Sequence, residues 1–244
     1  MIKNKIQQAF DRAAHSYDKH SDVQQQAGIK LTHLLKSLRP QAKHLLDMGC
    51  GTGMTTAYLA SQYQYEDFHA IDIAPSLLAK AHQRLANLAI HVYEKNFDEL
   101  AGQAASLDII YSNMAVQWSR NLSALLQTTH TLLKDEGLIA LSIPLAGTFT
   151  ELHSYCELNA LYDHETIANI LTQSGYHILL QETESITLSF PHIIHAIKSI
   201  KQIGANHVIQ RSCKGLGKRS PFKKMGSSQL TYVIGYFIAR KNSV

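Results

Sequence analysis

The apolar positions along the chain predict two N-terminal helices followed by alternating strands and helices. Before Pro40, apolar residues recur at helical intervals, so residues 1–40 are expected to hold both helices. Short apolar runs then alternate with amphipathic stretches. The runs predict strands over 44–48, 68–72, 90–94, 107–112 and 137–143, and the stretches predict helices over 54–63, 75–87 and 121–133. Such alternation is typical of right-handed crossovers and a mostly parallel sheet.

The pattern changes after Pro144. We expect helices over 148–159 and 163–174, a β-rich segment over 176–188, a helix over 191–204, a loop with a short helix over 205–227 and a closing strand over 229–240. The predicted fold is an α/β, doubly wound, seven-stranded and mostly parallel Rossmann-like sheet. We expect residues 1–40 to form a helical cap and residues 41–244 the main domain, with a helical lid insertion at about 145–175 and a basic part at 191–244. Cap and lid are expected over the carboxyl edge of the sheet.

A glycine-rich loop joins the first predicted strand to the helix that follows it. Gly49, Gly51 and Gly53 are spaced two apart, directly after an apolar run that contains Asp47. Glycine permits a sharp turn with positive φ and leaves backbone N–H groups open to a ligand. A strand, a glycine loop and a helix at the carboxyl edge of a parallel sheet predict a nucleotide-type binding site.

Two kinds of cofactor site begin with such a loop. A dinucleotide-binding G-x-G-x-x-G loop needs a glycine three places after Gly51, and Met54 stands there instead. Asp47 would also face a pyrophosphate unfavourably, whereas it suits a cationic amino-acid end. The segment D-x-G-C-G-T-G resembles motif I of the class I S-adenosylmethionine (SAM) methyltransferases. That resemblance implies SAM as cofactor and S-adenosylhomocysteine as product, bound by Asp47, Gly49, Gly51 and Gly53.

Further cofactor contacts are expected where the next strands end. Asp72 ends the second strand, where an acid in doubly wound folds accepts hydrogen bonds from ribose hydroxyls, with Ile73 beside it. The alternative for Asp72 is a helix cap. At the end of the third strand, Asn96 is expected against the adenine amino group and the Phe97 N–H against a ring nitrogen. Asp98 is an alternative to Asn96, and a simple turn is another.

The fourth strand ends where methyl donor and acceptor should meet. Ser112 is expected at the cofactor and Asn113 at the substrate. Trp118 follows as either a substrate wall or plain core. Tyr17, from the first predicted N-terminal helix, is expected to contact the cofactor or substrate, with helix packing as its alternative role.

Composition narrows the class of protein. The 244 residues suffice for one domain with a substantial core, and no apolar run approaches the roughly 20 residues that span a bilayer. The N-terminus lacks an apolar signal core, and Cys50, Cys156 and Cys213 are scattered. We therefore expect a cytoplasmic protein with reduced cysteines and no membrane association. The 14 histidines form no H-E-x-x-H or similar set, so no metal site is expected.

Charge is distributed unevenly along the chain. The net charge is +4, yet from Pro191 onward there are ten Lys or Arg residues and no Asp or Glu. This separation indicates an anionic partner, either nucleic acid or an acidic carrier protein, with a solvated basic face as the alternative. The basic part has few aromatic residues and no evident stacking platform, so nucleic acid is not expected.

Several segments resemble the malonyl-acyl-carrier-protein O-methyltransferases of biotin synthesis. They are S-N-M-A-V-Q-W over 112–118, N-L-S-A-L from Asn121, G-T-F-T-E-L-H over 147–153, F-D-R-A-A-H-S-Y-D from Phe10, K-S-I-K-Q-I-G-A from Lys198 and L-T-Y from Leu230. The likeness covers nearly the whole chain. Two departures are Asn96, where the family usually has Asp, and Lys134-Asp-Glu-Gly in place of Pro-Gly-Gly.

The resemblance implies that the methyl of SAM passes to the free carboxylate of a malonyl thioester. An ionised carboxylate needs no general base, and the sequence offers no base–nucleophile pair. Tyr17 or Trp118 is expected to orient the carboxylate, with Lys198 or Lys201 as the nearby cation. The carrier would meet the basic part, including Lys218 and Arg219, and the enzyme is expected to be a monomer. Alternatives are a methyltransferase for another small carboxylic acid or quinone precursor, and a nucleic-acid-binding protein.

Overall fold

The computed structural model of the chain describes residues 2–205 and 228–242. The strands are β1 (His44–Met48), β2 (Asp67–Asp72), β3 (His91–Glu94), β4 (Leu107–Asn113), β5 (Leu133–Pro144), β6 (Tyr176–Phe190) and β7 (Ser228–Lys241). The helices are α1 (Ile2–Ala13), α2 (Tyr17–His20), α3 (Asp22–Leu38), α4 (Met54–Gln62), α5 (Pro75–Leu85), α6 (Leu122–Leu132), α7 (His164–Gln173) and α8 (Ile193–Gln202). Short 3₁₀ turns cover Phe97–Glu99, Val116–Trp118 and Thr150–Leu152.

The seven strands form one sheet in the order β3-β2-β1-β4-β5-β7-β6. The first five in this order run parallel, and β7 is antiparallel to both β5 and β6. The direction of winding reverses between β1 and β4, so a crevice opens at the carboxyl ends of these two strands. The predicted doubly wound, seven-stranded, mostly parallel fold is confirmed.

Helices cover both faces of the sheet and bury two apolar layers. One layer joins the stripe of α3, represented by Leu31 and Leu35, to Phe68 of β2 and Ile197 of α8. The other joins α6 and α7 to the opposite face, with Leu126 fully buried. β1 is buried on both faces beyond its first residue, which explains its continuous apolar run.

The segment after β5 differs from the predicted helical lid. Residues 148–159 form no α-helix, because the backbone binds β7 instead: the Leu145 N–H donates to Val233 O and the Phe149 N–H to Thr231 O, both at 2.8 Å. α7 does form, but its buried Ile167 packs in the second apolar layer under β6. The cover next to the carboxyl edge is therefore an irregular segment, and α7 is an ordinary layer helix.

The N-terminal helices differ in their roles. α3 packs on α4 and the sheet and is part of the core, whereas α1 contacts α5 and α8. A domain boundary at residue 40 stays a prediction. Within the described ranges, no helix combines the length and apolarity needed to cross a membrane. Cys50 is a buried free thiol. The expectation of reduced cysteines stays a prediction for Cys156 and Cys213.

Candidate active site

The glycine loop makes a turn that needs each of its three glycines. Gly49, Gly51 and Gly53 all have positive φ, at 82°, 56° and 76°. A Cβ on Gly49 would lie 2.3 Å from Ala115 Cβ, and one on Gly53 would lie 3.1 Å from Leu85 Cδ1. A Cβ on Gly51 would meet nothing within 4 Å. Gly49 and Gly53 therefore permit close packing of the loop, whereas Gly51 borders open space.

Asp72 ties the second strand to this loop. Its Oδ2 accepts the Gly51 N–H and its Oδ1 accepts the Ala74 N–H, both at 2.9 Å. Burial raises the pKa of Asp72, and these backbone donors counteract part of that effect. The carboxylate therefore stabilises the glycine loop, and it also lines the larger of the two cavities described below.

Asp47 lies behind the loop and does not line either cavity described below. Only 1% of it is exposed, and its Oδ2 accepts the Thr56 hydroxyl at 2.7 Å. Burial raises its pKa from 3.8 to about 7, the Thr56 hydrogen bond lowers it, and the nearby charge of Asp72 raises it further. A cationic ligand group on this side of the loop would favour the ionised form.

The titration of Asp47 predicts a pH dependence of stability. Because the folded pKa is raised, the folded protein holds more protons than the unfolded chain between about pH 4 and pH 7. The free energy of unfolding should therefore fall as pH rises through that interval, by about 2–4 kcal/mol from this residue. Asp47→Asn keeps an acceptor for Thr56 and should flatten the profile. Urea unfolding of both proteins at pH 5 and pH 7 checks this, and parallel profiles would contradict it.

The turn after β3 forms the far end of the main cavity. Asn96 is buried, with Oδ1 accepting the Asp98 N–H at 3.2 Å and Nδ2 donating to Glu99 Oε1 at 2.9 Å. Asp98 accepts the Ser119 hydroxyl at 2.6 Å and the Arg120 N–H groups. Asn96 Oδ1 and Asp98 Oδ1 each accept one hydrogen bond and keep a second lone pair, and both residues line the cavity. Both therefore stay candidates for the adenine amino group.

Two adjacent site residues were predicted at the end of β4, and only one of them lines the cavity. Ser112 is fully buried and donates to Met48 O at 2.7 Å, so its hydroxyl joins β4 to β1 and does not line the cavity. Asn113 lines it, with Nδ2 donating to Gln24 O at 2.9 Å and Oδ1 accepting the Ser142 hydroxyl at 2.6 Å. Asn113 therefore fixes α3 to the sheet at the cavity wall.

The N-terminal helices cover the loop through specific contacts. Asp18 accepts the Thr52 hydroxyl at 2.6 Å and pairs with Arg84 at 2.9 Å. Burial would raise the pKa of Asp18, but the Thr52 hydrogen bond and the Arg84 guanidinium outweigh it, so the pKa is lowered. The ring of Phe10 meets Trp118 edge-on, with ring centroids 5.8 Å apart. The N-terminal helices and the carboxyl edge of the sheet therefore enclose one shared space.

That space is a cavity of about 1040 Å³, adjoined by a smaller one of about 30 Å³. Five residues line both, namely Tyr17, Gln24, Gly49, Gly51 and Asn113. Of the predicted site residues, Asp72, Ile73, Asn96, Phe97 and Trp118 also line the larger cavity. The structure thus brings the ends of β1 to β4 and the cap together at the carboxyl edge.

Other predicted site residues lie elsewhere. Gly53 packs against α5. Lys198 and Lys201 are exposed on α8 and do not line the cavity, since that helix turns its apolar side inward. Lys218 and Arg219 lie outside the described residues. The role of nearby cation, predicted for Lys198 or Lys201, has no support from their positions.

Sequence reasoning missed several lining residues, including Gln24, Gln117, Arg120 and Tyr232. Gln24 occupies a polar position of an amphipathic helix and thus resembles a solvent-facing residue. Tyr232 stands in an apolar strand, where an aromatic residue is typical core. Both were inconspicuous because only the docking of the chain's two end regions brings them to the cavity.

The residues present fit a nucleoside cofactor with a cationic end. Gly51 leaves open space that a Cβ would fill, and Gln24 Oε1 is buried without a hydrogen-bond partner in the part of the chain that the structure describes. Together with the strand order, this arrangement defines the class as a class I, Rossmann-like methyltransferase. A family described as "Methyltransferase domain" matches residues 45–137.

Solved structures share this fold. A putative methyltransferase from Bacillus halodurans superposes with a TM-score of 0.62 at 12% identity, covering 88% of this chain and 99% of the other. The Haemonchus contortus phosphoethanolamine N-methyltransferase 2, solved with phosphomonomethylethanolamine and S-adenosylhomocysteine, has a TM-score of 0.63 at 16% identity. It covers 100% of this chain, which covers 61% of that structure.

Relatives in sequence are more specific. Malonyl-[acyl-carrier protein] O-methyltransferase 2 of Coxiella burnetii is 34% identical over 98% of this chain and 97% of its own length. The malonyl-[acyl-carrier protein] O-methyltransferase of Dechloromonas aromatica is 31% identical over 98% of this chain and 95% of its own length. The chain belongs to the malonyl-[acyl-carrier protein] O-methyltransferase family.

Proposed function

We propose that the protein is a SAM-dependent carboxyl O-methyltransferase that converts the malonyl group of acyl-carrier protein into its methyl ester, an early step of biotin synthesis. One observation carries this proposal: near full-length likeness to relatives named for that substrate. The cavity agrees with it, since about 1040 Å³ leaves room for an acyl thioester beside a nucleoside cofactor.

The cofactor would lie along the edge of the sheet. Asp72 would accept hydrogen bonds from its ribose, and Asn96 with the Phe97 N–H would bind its adenine. The unpartnered Gln24 Oε1 is an acceptor for its ammonium group. When bound, SAM supplies a methyl group activated by a positively charged sulfur.

The acceptor would occupy the part of the cavity beyond Asn113. Met114, Pro144 and Phe149 line the cavity and would give this part apolar walls. A carboxylic acid with a pKa of about 4 is ionised at neutral pH, so no side chain needs to remove a proton. Catalysis then depends on holding the carboxylate in line with the methyl group. Tyr17 and Trp118 both line the cavity and are our candidates for this positioning.

The proposal is tested by mass spectrometry of malonyl-carrier protein after incubation with enzyme and SAM. One added methyl group is expected, and its absence would refute the proposed substrate. Malonyl-CoA, small free dicarboxylic acids and quinone precursors are tested in parallel. Only recognition of the carrier predicts a gain from the protein part of the substrate.

Neutralising the basic residues Lys214, Lys218, Arg219, Lys223 and Lys224 tests carrier recognition. Carrier proteins are acidic. A variant with all five residues neutralised should therefore have a KM for malonyl-carrier protein about tenfold above that of wild type at low salt. Its KM for malonyl-CoA should change less, and its rate should depend less on salt. A variant with unchanged KM and salt dependence would assign these cations to a solvated surface.

The oligomeric state, the compartment and the expected partners are part of the same proposal. We propose that the enzyme acts as a monomer in the cytoplasm, without a metal, nucleic acid or membrane. Among the described residues, no group of three or more His, Cys, Asp or Glu side chains is arranged to hold a metal ion. Size-exclusion chromatography with light scattering tests the oligomeric state.

A further inference from the structure

We propose that Tyr232 donates a hydrogen bond to the carboxylate that receives the methyl group. The inference rests on the proposed function and names the neutral group that holds its substrate. Tyr17, which also lines the cavity, would be the second neutral donor.

Tyr232 is a buried phenol at the wall of the cavity. It is 4% exposed, lines the larger cavity and packs edge-on against Phe149, with ring centroids 4.6 Å apart. It lies near the start of β7, beyond Ile234, which pairs with Pro144 at the end of β5. This position places its side chain at the carboxyl edge of the sheet, next to the part of the cavity assigned to the acceptor.

Burial raises the pKa of Tyr232, so its phenol is protonated at neutral pH. The hydroxyl proton is therefore available to a ligand that accepts a hydrogen bond.

Gln24 and Tyr17 lie at the point where methyl transfer is expected. The backbone oxygen of Gln24 accepts from Asn113 Nδ2 at 2.9 Å, and its side chain lines both cavities. Tyr17 lines both cavities as well, and the charges of Asp72 and of Tyr232 both raise its pKa after burial. Two phenols and one amide therefore converge beside Asn113.

Two positively charged side chains line the described part of the cavity. In residues 2–205 and 228–242, the cationic side chains that line it are Lys5 and Arg120. Both are exposed, and Arg120 is paired with Asp98 at the adenine end, at 3.2 Å. A buried carboxylate without donors is unfavourable, and the hydroxyl groups that line the cavity are donors available to hold it. Neutral donors also suit the reaction, because positive and negative charge cancel during methyl transfer and a tight ion pair would stabilise the reactant more.

The test compares Tyr232→Phe with wild type in methyl transfer to malonyl-CoA. Loss of one hydrogen bond to a charged group should lower kcat/KM by about 10-fold to 100-fold. The affinity for S-adenosylhomocysteine, measured by calorimetry, should stay within about twofold of wild type, since the phenol is assigned to the acceptor. Tyr236→Phe is the matched control: Tyr236 lies on the same strand, donates to Glu184 at 3.0 Å and does not line the cavity. It should retain wild-type kcat/KM.

Unchanged kcat/KM in Tyr232→Phe would overturn the whole inference while the proposed function stands. No methylation of any malonyl thioester by wild type would instead refute the proposed function.

Discussion

Replacing Asp72 by alanine should weaken the binding of SAM and S-adenosylhomocysteine by at least about 100-fold. The carboxylate holds the glycine loop through the Gly51 N–H and is the expected acceptor for the ribose hydroxyls. Each hydrogen bond to a charged group contributes about 1.5–3 kcal/mol, and about 1.4 kcal/mol corresponds to tenfold in affinity. Two lost bonds therefore predict a change of this size. Titration calorimetry with S-adenosylhomocysteine measures it directly.

Asp67→Ala is the control for this experiment. Asp67 lies at the opposite end of β2, where Oδ2 meets His69 Nε2 at 2.8 Å, and it does not line the cavity. Its removal should leave cofactor affinity within about twofold of wild type, the range in which an uninvolved group falls. Wild-type affinity in Asp72→Ala would show that the ribose is held elsewhere.

Alanine at Gly49 and at Gly51 should damage the protein in two different ways. At Gly49 the added Cβ would lie 2.3 Å from Ala115 Cβ, and φ is 82°, so the loop or β4 must move. We expect a loss of about 2–4 kcal/mol in the free energy of unfolding. At Gly51 the added carbon meets no protein atom, so only the backbone strain of about 1–2 kcal/mol applies. There the main loss should be in cofactor affinity, by at least about tenfold, because the Cβ occupies ligand space.

Urea unfolding and calorimetry on the same two variants distinguish these effects. Gly102→Ala serves as a control, because its Cβ would make ordinary contact with Leu132 at 3.4 Å. Equal stability of the Gly49→Ala and Gly51→Ala proteins would contradict the packing role of Gly49. Unchanged affinity in Gly51→Ala would contradict the placement of the cofactor over this loop.

Sequence reasoning identified the residues whose role depends on short stretches of chain. The strand, glycine loop and helix from His44 to Gln62 are local, and Asp72 follows one strand later. Each strand end that reaches the same sheet edge could be predicted because parallel topology fixes it. The residues that line the cavity at the ends of β1 to β3 could therefore be predicted from the order of residues alone, and their cofactor contacts stay predictions.

The acceptor side was less predictable. The backbone N–H groups of Leu145 and Phe149 donate to β7, a strand far along the chain. This long-range pairing takes the place of the helix that was predicted over 148–159. Ser112 has a polar side chain at the right strand end, yet its hydroxyl turns to Met48 O. Gln24 and Tyr232 reach the cavity only through tertiary docking. No periodicity in the sequence encodes such contacts.

The cavity wall built from α2, α3 and β7 has a consequence for how the enzyme is assembled. Tyr17 and Tyr232 come from nearly opposite ends of the chain, whereas the glycine loop belongs to one compact βα unit. Contacts distant in sequence form late because their loop-closure entropy is high. A nascent or partly opened chain would thus acquire nucleotide affinity before it can select an acyl group. Damage to β7 should accordingly impair substrate choice first and leave the glycine loop comparatively intact.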